Sequence, residues 1–155
     1  MEGTYRKSIA AHLMRLIRYK EGWRYTRLRV YLAKMLFPKS GVNIKISTGV
    51  FIDYPEHIQV GNNVSIQKNC DLSGFGRITI GNDVSIGPNT SIFSSHHPYE
   101  SSIIRENALE ARPVSIGNNV WVGAHCIILC RQHRNFRHFE HSNFPDWKRH
   151  GFPAF

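Results

Sequence analysis

The sequence predicts an all-β fold in which the chain coils along one axis as a parallel β-helix, preceded by an α-helical segment and followed by an irregular tail. Two observations support this prediction. Aliphatic residues recur every six positions through the middle of the 155-residue chain, and a nine-residue pattern occurs there three times. A period of six matches neither the 3.6-residue period of an α-helix nor the two-residue alternation of a hairpin strand. It matches a chain that turns a corner every six residues.

Residues 1–39 are predicted to form a basic amphipathic helical segment that ends at Pro38. They contain ten Lys or Arg residues and two acidic residues, a local net charge of +8. The apolar residues at helical spacing are Ile9, Leu13, Leu16 and Ile17, followed after Gly22 by Leu28, Tyr31, Leu32, Met35 and Leu36. Two roles are open for this apolar face. It covers the first open edge of the β-helix, or it lies on an anionic membrane surface.

Residues 40–130 carry the repeat and are predicted to form the β-helix. The nine-residue pattern begins at Ile58, Ile78 and Val114. The residues predicted to point inward are Ile46, Ile52, Val60, Ile66, Leu72, Ile80, Ile86, Ile92, Ile116, Val122 and Ile128. Three corners close a triangular coil of about eighteen residues, and stacked coils pair short parallel strands around an aliphatic core. Gly and Asn follow the aliphatic residues, and both tolerate the left-handed backbone angles expected at corners.

The hexads stop in a polar loop, residues 94–113, and resume in register at Val114. The loop contains His96 and His97, followed by Pro98. A long excursion from a rigid scaffold is where functional residues concentrate. The sequence therefore predicts the functional site at this loop.

Residues 131–155 differ from the rest of the chain and are predicted to form an atypical tail. They contain no Ile, Leu, Val or Met, but five Phe and four of the nine His residues. No helical or strand period is visible. The spacing of these histidines matches no zinc-binding pattern, so we expect no metal site.

Composition limits the class of protein further. With 41% hydrophobic and 20% charged residues, the chain has the composition of a globular domain. The apolar stretch Ile9–Ile17 is interrupted by His12 and Arg15, so neither a secretory leader nor a transmembrane helix is expected. Three cysteines give no disulfide framework, which favours the cytoplasm. Residues 40–130 carry a net charge of −2, so we expect no nucleic-acid partner.

The stretches from Ile80 to Pro98 and from Pro113 to Gly123 are similar to the maltose and galactoside branch of the hexapeptide-repeat O-acetyltransferases, shared by polysaccharide and lipopolysaccharide O-acetyltransferases. The His-Pro pair, the loop and Trp-Val-Gly carry the resemblance, which covers residues 42–129. It implies a left-handed β-helix and a homotrimer with active sites between subunits. It also implies acetyl transfer from acetyl-CoA to a hydroxyl of a sugar or glycan precursor. The cysteine content and the basic helical segment predict a location in the cytoplasm or at the inner face of its membrane.

By this resemblance, His97 matches the family's general base. The pKa of an acceptor hydroxyl lies far above 7, so its attack on a thioester requires a base that titrates near neutrality. Trp121 matches an aromatic wall beside the site, and backbone N–H groups near Gly123 and Ala124 are the expected oxyanion donors. The residues expected to contact the acceptor are His96, Asn69 and Asp71.

One departure from the family lies after Ile128. The family continues into Pro-Gly-Val-x-Ile-Gly and at least one further coil, and those coils carry much of the coenzyme A groove. Here Cys130 stands at the position of the Pro. The sequence therefore predicts a truncated or frameshifted C-terminus with impaired activity, or a natural short variant. The alternative function is a catalytically inactive β-helix scaffold or interaction protein. A γ-class carbonic anhydrase is less favoured, since the coils supply too few outward histidines.

Overall fold

In this computed structural model, the structure describes residues 2–97 and 109–130, with side chains from residue 8 onward. Two α-helices, α1 (Glu2–Ile17) and α2 (Trp23–Leu36), precede the strands. The strands are β1 (Lys39–Ser40), β2 (Lys45–Ile46), β3 (Phe51–Asp53), β4 (Ile58–Val60), β5 (Val64–Ile66), β6 (Asp71–Ser73), β7 (Ile78–Ile80), β8 (Val84–Ile86), β9 (Ser91–Phe93), β10 (Ser95–His96), β11 (Glu110–Ala111), β12 (Val114–Ile116), β13 (Trp121–Val122) and β14 (Ile127–Leu129). A 3₁₀ turn lies at Pro55–His57.

Three parallel four-stranded sheets form the sides of the coil. Their orders are β1-β4-β7-β12, β2-β5-β8-β13 and β3-β6-β9-β14, so each strand pairs with the strand one coil further along. The pairing follows the hexads, with Val60 opposite Ile80 and Ile80 opposite Ile116. The parallel β-helix predicted from the sixfold period is confirmed, and the hexads set its register.

The inward aliphatic side chains stack into one core along the axis. Val60, Ile66, Leu72, Ile80 and Ile86 are fully buried. Burial of one such side chain contributes about 1.5–3 kcal/mol relative to its exposure. Stacked coils therefore provide the principal stabilisation of the repeat region.

Asparagine and glycine occupy the corners for different reasons. Asn63 and Asp83 have left-handed backbone angles, with φ of 55° and 56°. Their side chains form a ladder in which Nδ2 of Asn63 donates to Oδ1 of Asp83 at 2.9 Å. The corner residue Gly61 has no positive φ. Instead, a Cβ there would lie 2.5 Å from the carbonyl oxygen of Gly81 in the next coil. The expected left-handed angles are therefore confirmed at the asparagine corners, whereas Gly61 is required by the close stacking of the next coil and not by its backbone angle.

The second helix covers the first coil. The side chain of Arg29 is 1% exposed, and its Nε donates to the carbonyl oxygen of Ile46 at 3.2 Å. Its Nη1 donates to the carbonyl oxygens of Ile17 at 3.1 Å and Lys20 at 2.8 Å. Burial lowers the pKa of Arg29. One guanidinium group therefore donates hydrogen bonds to α1, to the turn after α1 and to strand β2. These contacts agree with the expectation that the helical segment covers the first open edge of the β-helix.

The apolar face predicted for the first helix is only partly correct. The helical run breaks between α1 and α2, and Leu16 is 59% exposed although it lies on the predicted face. Among the residues of α1 whose side chains the structure describes, Ala10 and Met14 are buried. Ala10 and Ala33 of α2 are both fully buried, because small side chains allow close packing in the core. The size and fit of the side chains, and not their hydrophobicity alone, therefore determine which face of α1 packs against the rest of the protein.

The boundaries 1–39, 40–130 and 131–155 stay predictions, and the tail lies outside the described residues. Within the part of the chain that the structure describes, no helix is long and apolar enough to span a bilayer.

Candidate active site

The polar loop leaves the β-helix at a corner fixed by hydrogen bonds. Ser94 is fully buried, its Oγ donates to the carbonyl oxygen of Ser73 at 2.7 Å, and it accepts from the N–H of Gly76 at 2.8 Å. On the return side, the N–H of Arg112 donates to the carbonyl oxygen of Ser94 at 2.9 Å. The two ends of the loop are therefore joined at the wall of the coil.

A short antiparallel ribbon follows this corner. In it β10 pairs with β11, with Ser95 opposite Ala111 and His96 opposite Glu110. His97 is the next residue, and it is exposed. The structure therefore presents the expected general base outward from the rigid end of the ribbon. Residues 98–108 of the loop lie outside the described part.

His96 faces protein groups with both ring nitrogens. Its Nδ1 lies 3.6 Å from Sγ of Cys130, and its Nε2 lies 3.6 Å from Oε2 of Glu110. Nη2 of Arg112 lies 3.3 Å from the same carboxylate oxygen. Burial raises the pKa of the Cys130 thiol, so this group stays protonated at neutral pH. The expectation that His96 contacts the acceptor stays a prediction, while these contacts show what the ring touches.

Trp121, Gly123 and Ala124 lie on the last described coil. Trp121 is the first residue of β13, pairs with Ser85, and is 77% exposed. At the following corner, the carbonyl oxygen of Gly123 accepts from Oγ1 of Thr90 at 3.0 Å. The backbone N–H groups of Gly123 and Ala124 have no hydrogen-bond partner among the described residues. These two donors are thus available to a ligand, as an oxyanion site requires.

Asn69 and Asp71 lie one coil before the loop. Asn69 is an exposed corner residue with a φ of 57°. Asp71 lies on β6, which pairs with β9, the strand that leads to the loop. Burial raises the pKa of Asp71, the charge of Asp53 adds to the increase, and Arg18 opposes it. Both polar residues therefore lie on coil surfaces near β9, and Asp71 is paired with Ser91 of that strand.

The sequence reasoning did not identify Glu110 and Arg112 as site residues. The sequence gives little indication of their role, because charged residues are common at the ends of polar loops and do not by themselves indicate a site. The antiparallel pairing of the loop ends is what brings them to His96. Among the described residues, no group of three or more His, Cys, Asp or Glu side chains forms a candidate metal site.

Comparison with known proteins gives relatives that include O-acetyltransferases. No family model matches the sequence. The galactoside O-acetyltransferase of Escherichia coli K12 is 31% identical over 100 residues, which cover 64% of this chain and 49% of that protein. The chain spans about half the length of the curated relatives it matches.

Two solved structures extend the comparison. A galactoside acetyltransferase in complex with coenzyme A has a TM-score of 0.70 and 26% identity, covering 82% of this chain and 63% of that one. The maltose O-acetyltransferase of Clostridium difficile 630 has a TM-score of 0.68 and 27% identity, covering 83% of this chain and 68% of that one.

The repeat register and these superpositions define a left-handed parallel β-helix of hexapeptide repeats. Handedness follows because a superposition matches the sense of winding as well as the path of the chain. The similarity to the hexapeptide-repeat acetyltransferases, which the His-Pro and Trp-Val-Gly motifs indicated, is confirmed.

Proposed function

We propose that this protein transfers an acetyl group from acetyl-CoA to a hydroxyl of a sugar or of a polysaccharide or lipopolysaccharide precursor. The observation that carries the proposal is the exposed His97 at the end of the β10–β11 ribbon. It is supported by the similarity of the chain to galactoside and maltose O-acetyltransferases. Histidine is the side chain best suited to remove a proton near neutral pH.

In the proposed reaction, His97 takes the proton of the acceptor hydroxyl while the hydroxyl oxygen attacks the acetyl carbonyl carbon. The tetrahedral oxyanion then accepts hydrogen bonds from the N–H groups of Gly123 and Ala124, which are unpaired within the described chain. Collapse breaks the bond between the carbonyl carbon and the sulfur of coenzyme A. The protonated His97 returns its proton to this sulfur, and the products are the acetyl ester and free coenzyme A.

Trp121 is proposed to contact the acetyl-CoA. Its ring is largely exposed and stands on the same coil as the two oxyanion donors. Packing of an apolar or planar group of a ligand against this exposed ring would contribute favourably to binding. Asn69 and Asp71 are proposed to contact the acceptor, since acceptor hydroxyls require hydrogen-bond partners of their type.

A homotrimer is proposed as the active form. Three large side chains of the last coil are exposed, namely Trp121, Ile127 and Leu129. Ile127 and Leu129 lie at alternate positions of β14 and therefore point to the same outer face. Exposed large apolar side chains of this kind are typical of an interface. Sedimentation at increasing protein concentration is expected to give the mass of three chains, and a monomer at all concentrations would contradict this proposal.

A peripheral location at the inner face of the cytoplasmic membrane is proposed for the helical segment. Leu16 and Trp23 are 59% and 65% exposed, and the guanidinium groups of Arg24 and Arg27 lie 5.5 and 5.0 Å from the Trp23 ring centre. Exposed aromatic and basic residues together favour an anionic bilayer surface. The protein is expected to sediment with phosphatidylglycerol vesicles and not with phosphatidylcholine vesicles. The substitution Trp23→Ala is expected to lower the fraction of protein that sediments with phosphatidylglycerol. Equal sedimentation with both lipids would contradict the proposed binding to an anionic membrane.

A catalytically inactive β-helix scaffold is the second candidate. The observation that favours it is Cys130, which stands where the resembled family has proline, so the hexad pattern departs there from that of the enzymes. One assay separates the two candidates: release of free coenzyme A from acetyl-CoA in the presence of maltose, galactosides or other sugars. We expect acceptor-dependent release that falls by about 10²–10⁴-fold in His97→Ala. Equal, negligible release by both proteins would favour the scaffold.

A further inference from the structure

A chain of four polar side chains crosses the base of the functional loop. It runs from Cys130 at the end of the last coil, through His96, to Glu110 and Arg112 on the return side of the loop. The consecutive separations are 3.6, 3.6 and 3.3 Å. We refer to these four residues as the loop-base chain.

The loop-base chain joins three separate parts of the backbone. His96 lies on β10 and Glu110 on β11, while Cys130 immediately follows β14. The N–H of Cys130 donates to the carbonyl oxygen of Phe93 at 2.9 Å, which places the thiol beside the start of the loop. Displacement of any one part would therefore separate a contact in the chain.

The chemistry of the partners fixes the proton of the His96 ring. Nε2 is buried and lies 3.6 Å from Oε2 of Glu110, which is beyond hydrogen-bond distance, and it has no hydrogen-bond partner among the described residues. A carboxylate accepts hydrogen bonds and donates none, so a neutral His96 with its hydrogen on Nε2 suits this neighbour. Nδ1 is then free to accept from the S–H of Cys130, whose pKa is raised by burial.

These contacts also constrain the neighbouring residue. His96 is half-buried, its backbone is paired across the ribbon, and its Nδ1 faces Sγ of Cys130. His97 follows it by one peptide bond and is exposed. The backbone of His97 is thereby held at one end, although its own side chain extends outward.

We propose that His96 is a positioning residue that holds His97 in its catalytic position through the loop-base chain, with Cys130 as the hydrogen-bond donor that anchors the ring to the last coil. The proposal rests on the proposed acetyl transfer. It assigns to His96 a role different from acceptor binding, and it gives Cys130 a function at a position where the family has proline.

The test uses two substitutions at Cys130 that differ in one property. Cys130→Ser retains a hydroxyl donor toward Nδ1, whereas Cys130→Ala removes it. We expect Cys130→Ala and His96→Asn to lower kcat by about tenfold or more, since small misplacements of catalytic groups have effects of this size. The KM for acetyl-CoA is expected to stay nearly unchanged. Cys130→Ser is expected to retain most of the wild-type kcat.

Two controls separate positioning from general damage. His57→Asn replaces an exposed histidine of the 3₁₀ turn, outside the loop-base chain, and is expected to retain wild-type kcat. The double variant His96→Asn/Cys130→Ala is expected to be no slower than His96→Asn, because both residues act through the same chain. Wild-type kcat in His96→Asn, or equal kcat in the Ser and Ala variants of Cys130, would overturn the proposal.

A second readout does not depend on acetyl transfer. In ¹⁵N-histidine NMR spectra, His96 is expected to be the Nε2–H tautomer, and His96→Asn is expected to shift the ring signals of His97 while His57→Asn does not. If the wild-type protein releases no coenzyme A, the proposed function fails and these spectra alone decide on the positioning. Unchanged His97 signals in His96→Asn would overturn the positioning.

Discussion

The first and the last described coils follow the same hexad pattern but have different neighbours. The first coil lies beneath α2, and of its inward residues Ile46 is fully buried and Ile52 is half-buried. In the last coil the equivalent positions are less protected, with Ile116 7% exposed and Val122 and Ile128 half-buried. The burial of a hexad residue is therefore determined by what is stacked on its coil, and the pattern alone does not predict it.

The two end coils also differ in whether their polar groups are used by the fold or are available to a ligand. At the covered end, Arg29 satisfies three carbonyl groups and leaves little for a ligand to bind. At the other end, Trp121 is exposed and the N–H groups of Gly123 and Ala124 are unpaired within the described chain. The proposed active site thus lies at the end of the coil whose polar and aromatic groups are unused by the fold.

The largest expected effect is at the covered end. Arg29→Ala removes a buried guanidinium and leaves the carbonyl oxygens of Ile46, Ile17 and Lys20 without these donors. We expect the free energy of unfolding to fall by about 3–5 kcal/mol, measured by urea denaturation. The control Arg27→Ala, an exposed arginine over Trp23, is expected to change it by less than about 1 kcal/mol. Similar losses in both variants would contradict the role assigned to Arg29.

A matched pair of core truncations compares a central coil with the last one. Ile92→Ala removes a fully buried side chain that is paired with Ile128, and we expect a loss of about 2–5 kcal/mol in the free energy of unfolding. Ile128 occupies the equivalent inward position in the last coil and is half-buried, so Ile128→Ala is expected to cost less than half as much. Equal losses would show that the last coil is as well covered as the middle.

A pair of corner glycines gives a smaller effect with a clear contrast. In Gly61→Ala the new Cβ would meet the carbonyl of Gly81 in the next coil, and we expect a loss of about 1–3 kcal/mol. At Gly117 nothing lies within 4 Å of a Cβ, so Gly117→Ala is expected to be neutral or to stabilise by up to about 1 kcal/mol. Thermal denaturation measures the stability of both variants. A loss of stability in Gly117→Ala would contradict the open space at this glycine and show that other protein atoms pack against it.

The smallest expected effect is a pH dependence at Asp71. The pKa of Asp71 is raised in the folded state, so folding favours its protonated form. Its contribution to stability is present below the unfolded-state pKa and is lost as pH rises through the raised folded-state pKa. The stability of the wild type relative to Asp71→Asn is therefore expected to fall across that interval, measured by urea denaturation from pH 3 to 7. A relative stability that rises with pH would contradict the assigned direction.

The sequence predicted the coil well because each hexad is a local pattern with one physical meaning. A six-residue spacing places Ile66, Ile86 and Val122 at one corner of successive coils, and the strand pairing has that register. Which face of α1 packs could not be predicted, because it depends on the close fit of Ala10 near α2. Hydrophobicity favoured Leu16, which the structure leaves exposed.

The candidate site was predicted in part for the same reason. His97 and Trp121 belong to motifs with fixed spacing, so their outward positions followed from the count of residues within each coil. Glu110 and Arg112 are brought to His96 by pairing across the loop, a contact between residues fourteen or more positions apart. No local pattern encodes such a contact.

The central claim is that acetyl-CoA binds at the last described coil, beside His97. The most direct measurement is a titration of the ¹⁵N-labelled protein with coenzyme A, followed by NMR. We predict that the indole N–H of Trp121 and the backbone amides of Gly123 and Ala124 shift together and saturate, while the amides of α2 stay unchanged. Shifts confined to the helical end, or none at saturating coenzyme A, would contradict the claim.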